Sequence, residues 1–366
     1  KTATHFNKTD AKGNRIGGAE LILVQGDGVT YTQAEIADRW ISSETEDHTV
    51  RGLKIGQPYT LLEVSAPTGY LLNTTGVSFM LNGDGQVISA SGAVTDSSTT
   101  NLVSMIDYPA EVSFSKRATG AGTAELPGAT LTITHVENGT TLTDDRWVSG
   151  DEHNRDASGN PIPHLVTGTL KADGSTEYTF TEVGAPDGFT VAGSIVFRIQ
   201  PDGTVQIRQP NGNWDLADGK TVVMTDAPTR VKIAKVDAVT GVFLPGAEFA
   251  IVADQNGAPA QTPVSGYERI VSGEEAITVD GLPVGNYWLV ETAAPVGRDA
   301  NGEPVYYQTA TPVAFSVTDE LLPEAQLVSV TVSDQPTNVT IQKLDSLNTD
   351  ADGHDTGNRV AGATLT

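Results

Sequence analysis

The chain has 366 residues, and its 46 acidic side chains outnumber its 22 basic ones, which gives a formal net charge of −24. Nucleic acids and anionic membrane surfaces are therefore excluded as partners, because both are bound through basic patches. The sequence contains no cysteine, so disulfides, thiolate zinc sites and cysteine nucleophiles are excluded as well. There is no apolar run of about 18 residues, and we expect no membrane insertion. The length and the 38% hydrophobic content predict a globular protein of several domains.

Three short segments recur in the same order along the chain. The opening segment carries a lysine at residues 8, 116, 235 and 343. The middle segment has the pattern Tyr-x-x-x-Glu-x-x-Ala-Pro at residues 59–67, 178–186 and 287–295, and the closing segment ends at Asp107, Asp226 or Asp334. A period of this size indicates tandem repeats. The repeats predict three complete domains and the start of a fourth, at residues 1–109, 110–228, 229–336 and 337–366.

Within each unit, short alternating or β-branched runs such as Leu131-Thr132-Ile133-Thr134 are separated by Gly, Asn and Asp. This pattern is typical of an all-β fold, and we predict a β-sandwich in each unit. One short helical turn is expected near residues 33–40. Proline occurs at each junction, and because proline fixes φ we expect stiff joints and an elongated rod. The junction prolines are Pro109, Pro228 and Pro336.

Three charged residues of each unit share a strand face with apolar residues. Residues i and i+2 lie on one face of a strand, so Lys8 shares its face with Phe6, and Asp107 shares its face with Met105. We therefore expect each unit to bury one Lys, one Glu and one Asp next to one another, because an isolated buried charge is costly. The predicted triads are Lys8, Glu63 and Asp107; Lys116, Glu182 and Asp226; and Lys235, Glu291 and Asp334.

Two interpretations of these triads remain open from the residues alone. The first is structural: a buried salt-bridge cluster, or charges at strand ends that reach solvent. The second is reactive, because desolvation favours a neutral amine and a neutral acid, which can condense to an amide while the Glu carries protons. Recurrence in one phase favours the reactive interpretation. It predicts the crosslinks Lys8–Asp107, Lys116–Asp226 and Lys235–Asp334, promoted by Glu63, Glu182 and Glu291, in a single-turnover process that is not enzymatic.

Several motifs of the units occur together: the opening lysine strand, Leu-Pro-Gly-Ala at residues 126–129 and 244–247, Trp40 and Trp147 before polar loops, the Tyr-x-x-x-Glu-x-x-Ala-Pro segment and the closing strand. In this combination the chain resembles tandem Cna B-type (prealbumin-like) domains of Gram-positive surface adhesins and pilins. The resemblance implies Ig-like sandwiches with Lys–Asp or Lys–Asn isopeptide bonds. Aspartate at positions 107, 226 and 334 implies loss of water. Lys343 would then have its partner outside this sequence.

The resemblance also implies a function and a location. We expect the structural stalk or shaft of a cell-wall-associated adhesin or pilus-like protein, extracellular and anchored through a C-terminal region not present here. Its expected partners are neighbouring cell-wall components and a host surface protein or glycan bound by a tip.

Two alternatives to a shaft stay open. In one, the domains themselves bind a host protein or glycan, through the polar insertion at residues 151–163 or the loop at Trp214. In the other, they are accessory repeats of a secreted enzyme. No cofactor or metal is expected, because the acidic run at residues 350–355 lacks the glutamate that completes a calcium loop.

Overall fold

The computed structural model describes residues 3–91, 101–299, 301–320, 322 and 327–337. The predicted fourth unit, with Lys343 and the acidic run at residues 350–355, lies outside the described residues. The chain divides into two compact units, with the main break between Thr229 and Arg230. The first unit holds two β-sandwiches and the second unit holds one.

The first sandwich consists of eight strands: β1 (Ala3–Thr9), β2 (Glu20–Gln25), β3 (Ile36–Ile41), β4 (His48–Arg51), β5 (Tyr59–Ser65), β6 (Val77–Leu81), β7 (Val87–Ser91) and β8 (Leu102–Ile106). They form a three-stranded sheet in the order β4-β1-β8 and a five-stranded sheet in the order β3-β2-β5-β6-β7. Of the helical turn predicted near residues 33–40, only the first part is confirmed, as a 3-10 turn at Gln33–Glu35. Residues 36–41 are a strand instead, because Trp40 packs into the core.

The second sandwich consists of nine strands: β9 (Glu111–Ala118), β10 (Thr130–Glu137), β11 (Thr140–Val148), β12 (His164–Thr167), β13 (Tyr178–Gly184), β14 (Ile195–Ile199), β15 (Val205–Arg208), β16 (Trp214–Leu216) and β17 (Thr221–Asp226). A second 3-10 turn lies at Asp218–Lys220. The sheet orders are β12-β9-β17 and β11-β10-β13-β14-β15-β16. The polar insertion predicted at residues 151–163 forms the turns that lead into β12.

Within the residues that the structure describes, the third sandwich has ten strands: β18 (Arg230–Asp237), β19 (Glu248–Asp254), β20 (Pro259–Pro263), β21 (Ile270–Val271), β22 (Ile277–Asp280), β23 (Gly285–Ala293), β24 (Val296–Arg298), β25 (Pro304–Tyr306), β26 (Val313–Val317) and β27 (Val328–Asp334). The two main sheets are β22-β18-β27 and β20-β19-β23-β26, and β21 pairs with β19. Strands β24 and β25 form a separate hairpin.

In all three sandwiches the first and last strands are parallel neighbours. Strand β1 pairs with β8, β9 with β17, and β18 with β27. One face of each strand is apolar, and the two sheets bury these faces in a shared core. The predicted all-β class with tandem sandwiches is confirmed.

The first two sandwiches are in close contact around Gly69. The Ala110 backbone N–H donates to the Gly69 carbonyl at 2.8 Å, and Leu71 packs against the core of the second sandwich. Gly69 has a φ of +87°, and a Cβ atom there would lie 2.1 Å from the carbonyl oxygen of Gly168. This contact therefore requires a glycine.

Among the described residues, no helix has the length and the apolar character needed to cross a membrane.

Candidate functional site

The strand arrangement brings the predicted lysine and aspartate of each unit together. In the first sandwich Lys8 lies opposite Met105 in the parallel β1–β8 pair, and Asp107 follows two residues later. The Asp107 backbone N–H donates to the Thr9 carbonyl at 2.9 Å, which extends the pairing to the aspartate. Residues two apart share a face, so the side chains of Lys8 and Asp107 both enter the core. Glu63 reaches the same point from β5 in the opposite sheet.

The first triad is compact and dry. The Lys8 Nζ atom lies 2.6 Å from Asp107 Oδ1 and 3.0 Å from Glu63 Oε1. All three side chains have 0% exposure. A charge cannot be solvated by water in this position, so each group depends on the other two.

The second and third triads repeat this arrangement. Lys116 Nζ lies 2.9 Å from Glu182 Oε2 and contacts Asp226 Oδ1. In the third sandwich, Lys235 Nζ lies 3.0 Å from Glu291 Oε1 and contacts Asp334 Oδ1. The side chains of both triads are at most 1% exposed. The structure thus brings together every predicted site residue that it describes.

The Oδ2 oxygen of each triad aspartate has no hydrogen-bond partner among the described residues. These atoms are Oδ2 of Asp107, Asp226 and Asp334, and all three are buried. An unpaired buried carboxylate oxygen is costly, whereas a protonated carboxyl group exposes less charge. The geometry therefore favours a proton on each pair of carboxyl groups.

The pKa shifts agree with a shared proton. Burial raises the pKa of Asp107 to about 6, against the lowering effect of Lys8 and with a further rise from Glu63. Burial likewise raises the pKa of Asp226 to about 7. In the third sandwich it is the pKa of Glu291 that burial raises, while the N–H of Ala310 and Lys235 lower it. Each carboxyl pair therefore holds a proton to a higher pH than a free carboxyl group would.

Each glutamate also accepts a backbone hydrogen bond that sequence reasoning missed. The N–H groups of Asn73, Ala192 and Ala310 donate to the Oε2 atoms of Glu63, Glu182 and Glu291 at 2.7, 2.7 and 2.6 Å. Any residue except proline can supply this donor, so no residue type marks it in the sequence.

A stacked Trp–His pair beside the first two triads was missed as well. Trp40 stacks on His48 and Trp147 on His164, each at 4.2 Å between ring centroids. His48 bonds Asp38 at 2.9 Å and His164 bonds Asp145 at 2.8 Å. The histidines lie opposite Phe6 and Phe114, two residues before the lysines of the triads. The sequence signal for these pairs was a histidine that follows each tryptophan. The insertion at residues 151–163 lengthens the second spacing, so the two Trp–His pairs did not look equivalent.

None of the acidic and histidine clusters among the described residues has an arrangement that could hold a metal ion. What the triads offer is a lysine amine held against a carboxyl group in a site without water. A second carboxylate lies within 3.0 Å of the amine to accept or return a proton. This arrangement suits acyl transfer from Asp to Lys within one chain.

Comparison with known proteins gives one family match, to a prealbumin-like fold domain. The family model described as "SpaA: Prealbumin-like fold domain" matches residues 2–94 and 229–320, just over half of the chain. No curated protein matches the chain.

Similar solved structures share low identity with this chain. The Bacillus anthracis TIE protein is 19% identical over 91% of this chain, with a TM-score of 0.39. This chain spans 51% of that protein's length. BcpA, the major pilin subunit of Bacillus cereus, is 17% identical over 92% of this chain and 99% of its own, with a TM-score of 0.34.

The C-terminal fragment of the pilus adhesin SpaC from Lactobacillus rhamnosus GG is 19% identical, over 62% of this chain and 97% of its own, with a TM-score of 0.33. At these identities and TM-scores the structural likeness does not assign the chain, and the family model alone carries the assignment. The chain belongs to the SpaA prealbumin-like fold domain family.

Proposed function

We propose that each described triad forms one amide crosslink between its lysine and its aspartate, and that the crosslinked sandwiches are the shaft of a surface adhesin or pilus-like protein. The observation that carries the proposal is the recurrence of a buried Lys–Glu–Asp contact in three different sandwiches. The functional domains would be the units at residues 1–109, 110–228 and 229–336.

The reaction balances within the triad. It starts from the lysine ammonium, an ionised glutamate and a protonated aspartate. The glutamate takes one proton, the neutral amine attacks Cγ of the aspartate, and a C–N bond forms. The C–O bond to the aspartate hydroxyl breaks, and this hydroxyl leaves as water with the second proton of the amine. The products are an amide, one water and a protonated glutamate, so each triad reacts once.

Burial makes this condensation favourable in two ways. The amide removes two charges from a site where they cannot be hydrated, and the folded core holds the reacting groups in contact. The bond also closes a loop between residues 99 positions apart in the first sandwich and 110 apart in the second. On the chain-entropy model, a loop of that size stabilises the folded state by about 4–5 kcal/mol.

The strand topology gives the crosslinks a mechanical role. Each bond would join the first strand of a sandwich to its parallel neighbour, the last strand. Tension that enters along the first strand would then leave through the last strand across a covalent bond, and the sheets between would carry no load. This property suits an extracellular shaft on a cell wall. The anchor, and a tip that binds a host protein or glycan, would lie in regions outside this sequence.

An intact-mass measurement of the purified chain tests the chemistry. We expect a mass lower than the sequence mass by three waters, one for each described triad. Glu182→Gln keeps the side-chain volume, and we expect it to restore the mass of one water and to abolish the peptide that links residues 116 and 226. A chain with its full sequence mass would contradict the proposal.

A second candidate function is adhesion by the domains themselves, and one surface feature favours it. Trp214 on β16 lies under the guanidinium groups of Arg198 and Arg208, at 4.2 and 5.0 Å from the ring centroid. Such an aromatic and basic cluster is unusual on a chain with a net charge of −24 and would suit an acidic glycan or peptide. Binding to an acidic glycan array that is lost in Trp214→Ala supports this function, whereas no binding supports a spacer.

A further inference from the structure

The backbone hydrogen bond to each glutamate recurs although the loops that supply it differ. The donor follows the glutamate by 10 residues in the first and second sandwiches and by 19 in the third. In the third sandwich the β24–β25 hairpin lies between the two residues, yet the Ala310 N–H donates to the same carboxylate atom. The contact is therefore a shared feature of the three sites and not of one loop conformation.

This hydrogen bond fixes the orientation of a buried carboxylate. The glutamate residues are only 4–8% exposed, so water cannot replace the missing donor. In the first and third sandwiches the N–H holds Oε2, which leaves Oε1 facing the lysine at 3.0 Å. In the second sandwich Oε2 lies between the Ala192 N–H and Lys116 Nζ. In both arrangements the carboxylate is held toward the lysine, because rotation away would leave the N–H unpaired.

The same hydrogen bond has an electrostatic effect. A donor stabilises the ionised form of a carboxyl group, so it opposes the effect of burial on the glutamate. The N–H of Ala310 lowers the pKa of Glu291, for example, although burial raises it more. The donor thereby shifts the shared proton away from the glutamate and toward the aspartate, where loss of water requires it.

We propose that the backbone N–H groups of Asn73, Ala192 and Ala310 are positioning groups for crosslink formation: each orients its glutamate toward the lysine and stabilises the ionised form of that glutamate. This inference rests on the proposed crosslinking function. It assigns a role to a main-chain group that, among the natural residues, only proline lacks.

An amide-to-ester replacement at Ala192 tests the role directly. Lactic acid in place of the alanine, introduced by cell-free translation with a charged suppressor tRNA, replaces the N–H by an oxygen and keeps the methyl group. The chain is collected in denaturant, refolding is started by dilution between pH 5 and 9, and the 116–226 crosslink is followed by mass spectrometry. Lys116 and Asp226 are the titratable groups that face Glu182, and Glu125 binds the Lys116 backbone N–H from the adjoining turn.

We expect the second crosslink to form roughly 10- to 100-fold more slowly in the ester variant, the range for loss of a hydrogen bond to a charged group. The midpoint of its pH–rate profile should also move to higher pH, because a less stabilised glutamate ion retains the shared proton longer. A merely structural hydrogen bond would change stability and leave this midpoint in place.

The matched control is the same replacement at Ala129, whose buried N–H donates to Ser149 Oγ at 3.0 Å without contact to the triad. We expect the control to crosslink at the unmodified rate. The indole NMR resonance of Trp147 reports whether the second sandwich has folded. If the Ala192 ester prevents folding of this sandwich, the same replacement at Ala310 tests the role in the third sandwich.

The outcomes separate the two proposals. An unmodified chain that forms no crosslink overturns the proposed function. An unmodified chain with three crosslinks, together with an Ala192 ester that reacts at the normal rate and pH midpoint, overturns only the positioning role.

Discussion

The second and third sandwiches enclose the same triad in differently built cores. In the second, Phe114 lies two residues before Lys116, and Leu131 lies opposite Glu182. In the third sandwich the residue two positions before Lys235 is Ile233, and the residue opposite Glu291 is Phe249. The large aromatic side chain has thus moved from one sheet to the other, and the aliphatic side chain has moved the opposite way.

The flank of the triad differs too. The stacked pair of Trp147 and His164 in the second sandwich corresponds by strand register to Ile270 and Ile277 in the third. The contact between lysine and glutamate is nonetheless 2.9 Å in one and 3.0 Å in the other. The comparison teaches that the triad needs a filled, dry core of the right volume, and that several side-chain combinations provide one.

Removal of the lysine should have the largest effect, and it should be equal in the two sandwiches. We expect Lys116→Met and Lys235→Met each to abolish one crosslink and to lower the free energy of unfolding of its own sandwich by about 4–5 kcal/mol, the value for closing a loop of this size. Calorimetry and intact mass measure both effects. A variant that unfolds like the unmodified chain would show that the bond contributes no stability.

The pH dependence of crosslinking should separate the three sites. The raised pKa values mean that the folded, unreacted chain holds a proton that the unfolded chain releases above its ordinary carboxyl pKa near 4. Folding and reaction are therefore both favoured as the pH falls through this window. We expect the rate to fall about tenfold per unit above about pH 6 in the first sandwich and above about pH 7 in the second.

In the third sandwich burial raises the pKa of Glu291, so we expect crosslinking there also to slow as the pH rises above the ordinary carboxyl range. Refolding time courses between pH 5 and 9, read from the three linked peptides, measure all the rates in one sample. A rate that does not fall with rising pH in any of the three peptides would contradict a proton held by the carboxyl pairs.

An exchange of core residues tests the volume argument. Phe114→Ile or Leu131→Phe alone should destabilise the second sandwich by about 1–3 kcal/mol, through a cavity or through overpacking. The double variant, which has the arrangement of the third sandwich, should recover most of that loss. A double-mutant cycle from denaturant unfolding measures the coupling, and strictly additive losses would contradict the interpretation.

The smallest effect is expected from the stacked histidine. His164→Leu keeps a side chain of similar size and removes the hydrogen bonds to Asp145 and Asn154, so we expect a loss of about 1–2 kcal/mol with no change in mass. Ile277→Leu at the corresponding position of the third sandwich is the control and should cost less. Amide hydrogen-exchange rates in β12 and β22 measure the loss of stability in the His164→Leu and Ile277→Leu variants, respectively.

Much of this architecture was accessible from the sequence because it repeats. Alternation along each strand was enough to place Lys8, Glu63 and Asp107 on interior faces, since a strand has only two faces. The recurrence of the same phase in each unit then favoured a meeting of the three residues over solvation at a strand end.

Other features depend on contacts that a single chain segment does not encode. The parallel pairing of β1 with β8 joins strands almost a hundred residues apart, and no local pattern specifies that partner. The β24–β25 hairpin, in which Val296 pairs with Tyr306, has no counterpart among the described strands of the first two sandwiches. The N–H donors to the glutamates have no side-chain signature at all.

The parallel pairing of first and last strands also sets an order of events in biosynthesis. A ribosome or an export channel delivers the N-terminal strand of each sandwich first, and its partner strand emerges last. Each lysine must therefore wait for about a hundred residues before its aspartate exists beside it. Under the proposed crosslinking, a chain exported through a narrow channel would pass through it unreacted, and its sandwiches would then close one after another from the N-terminus.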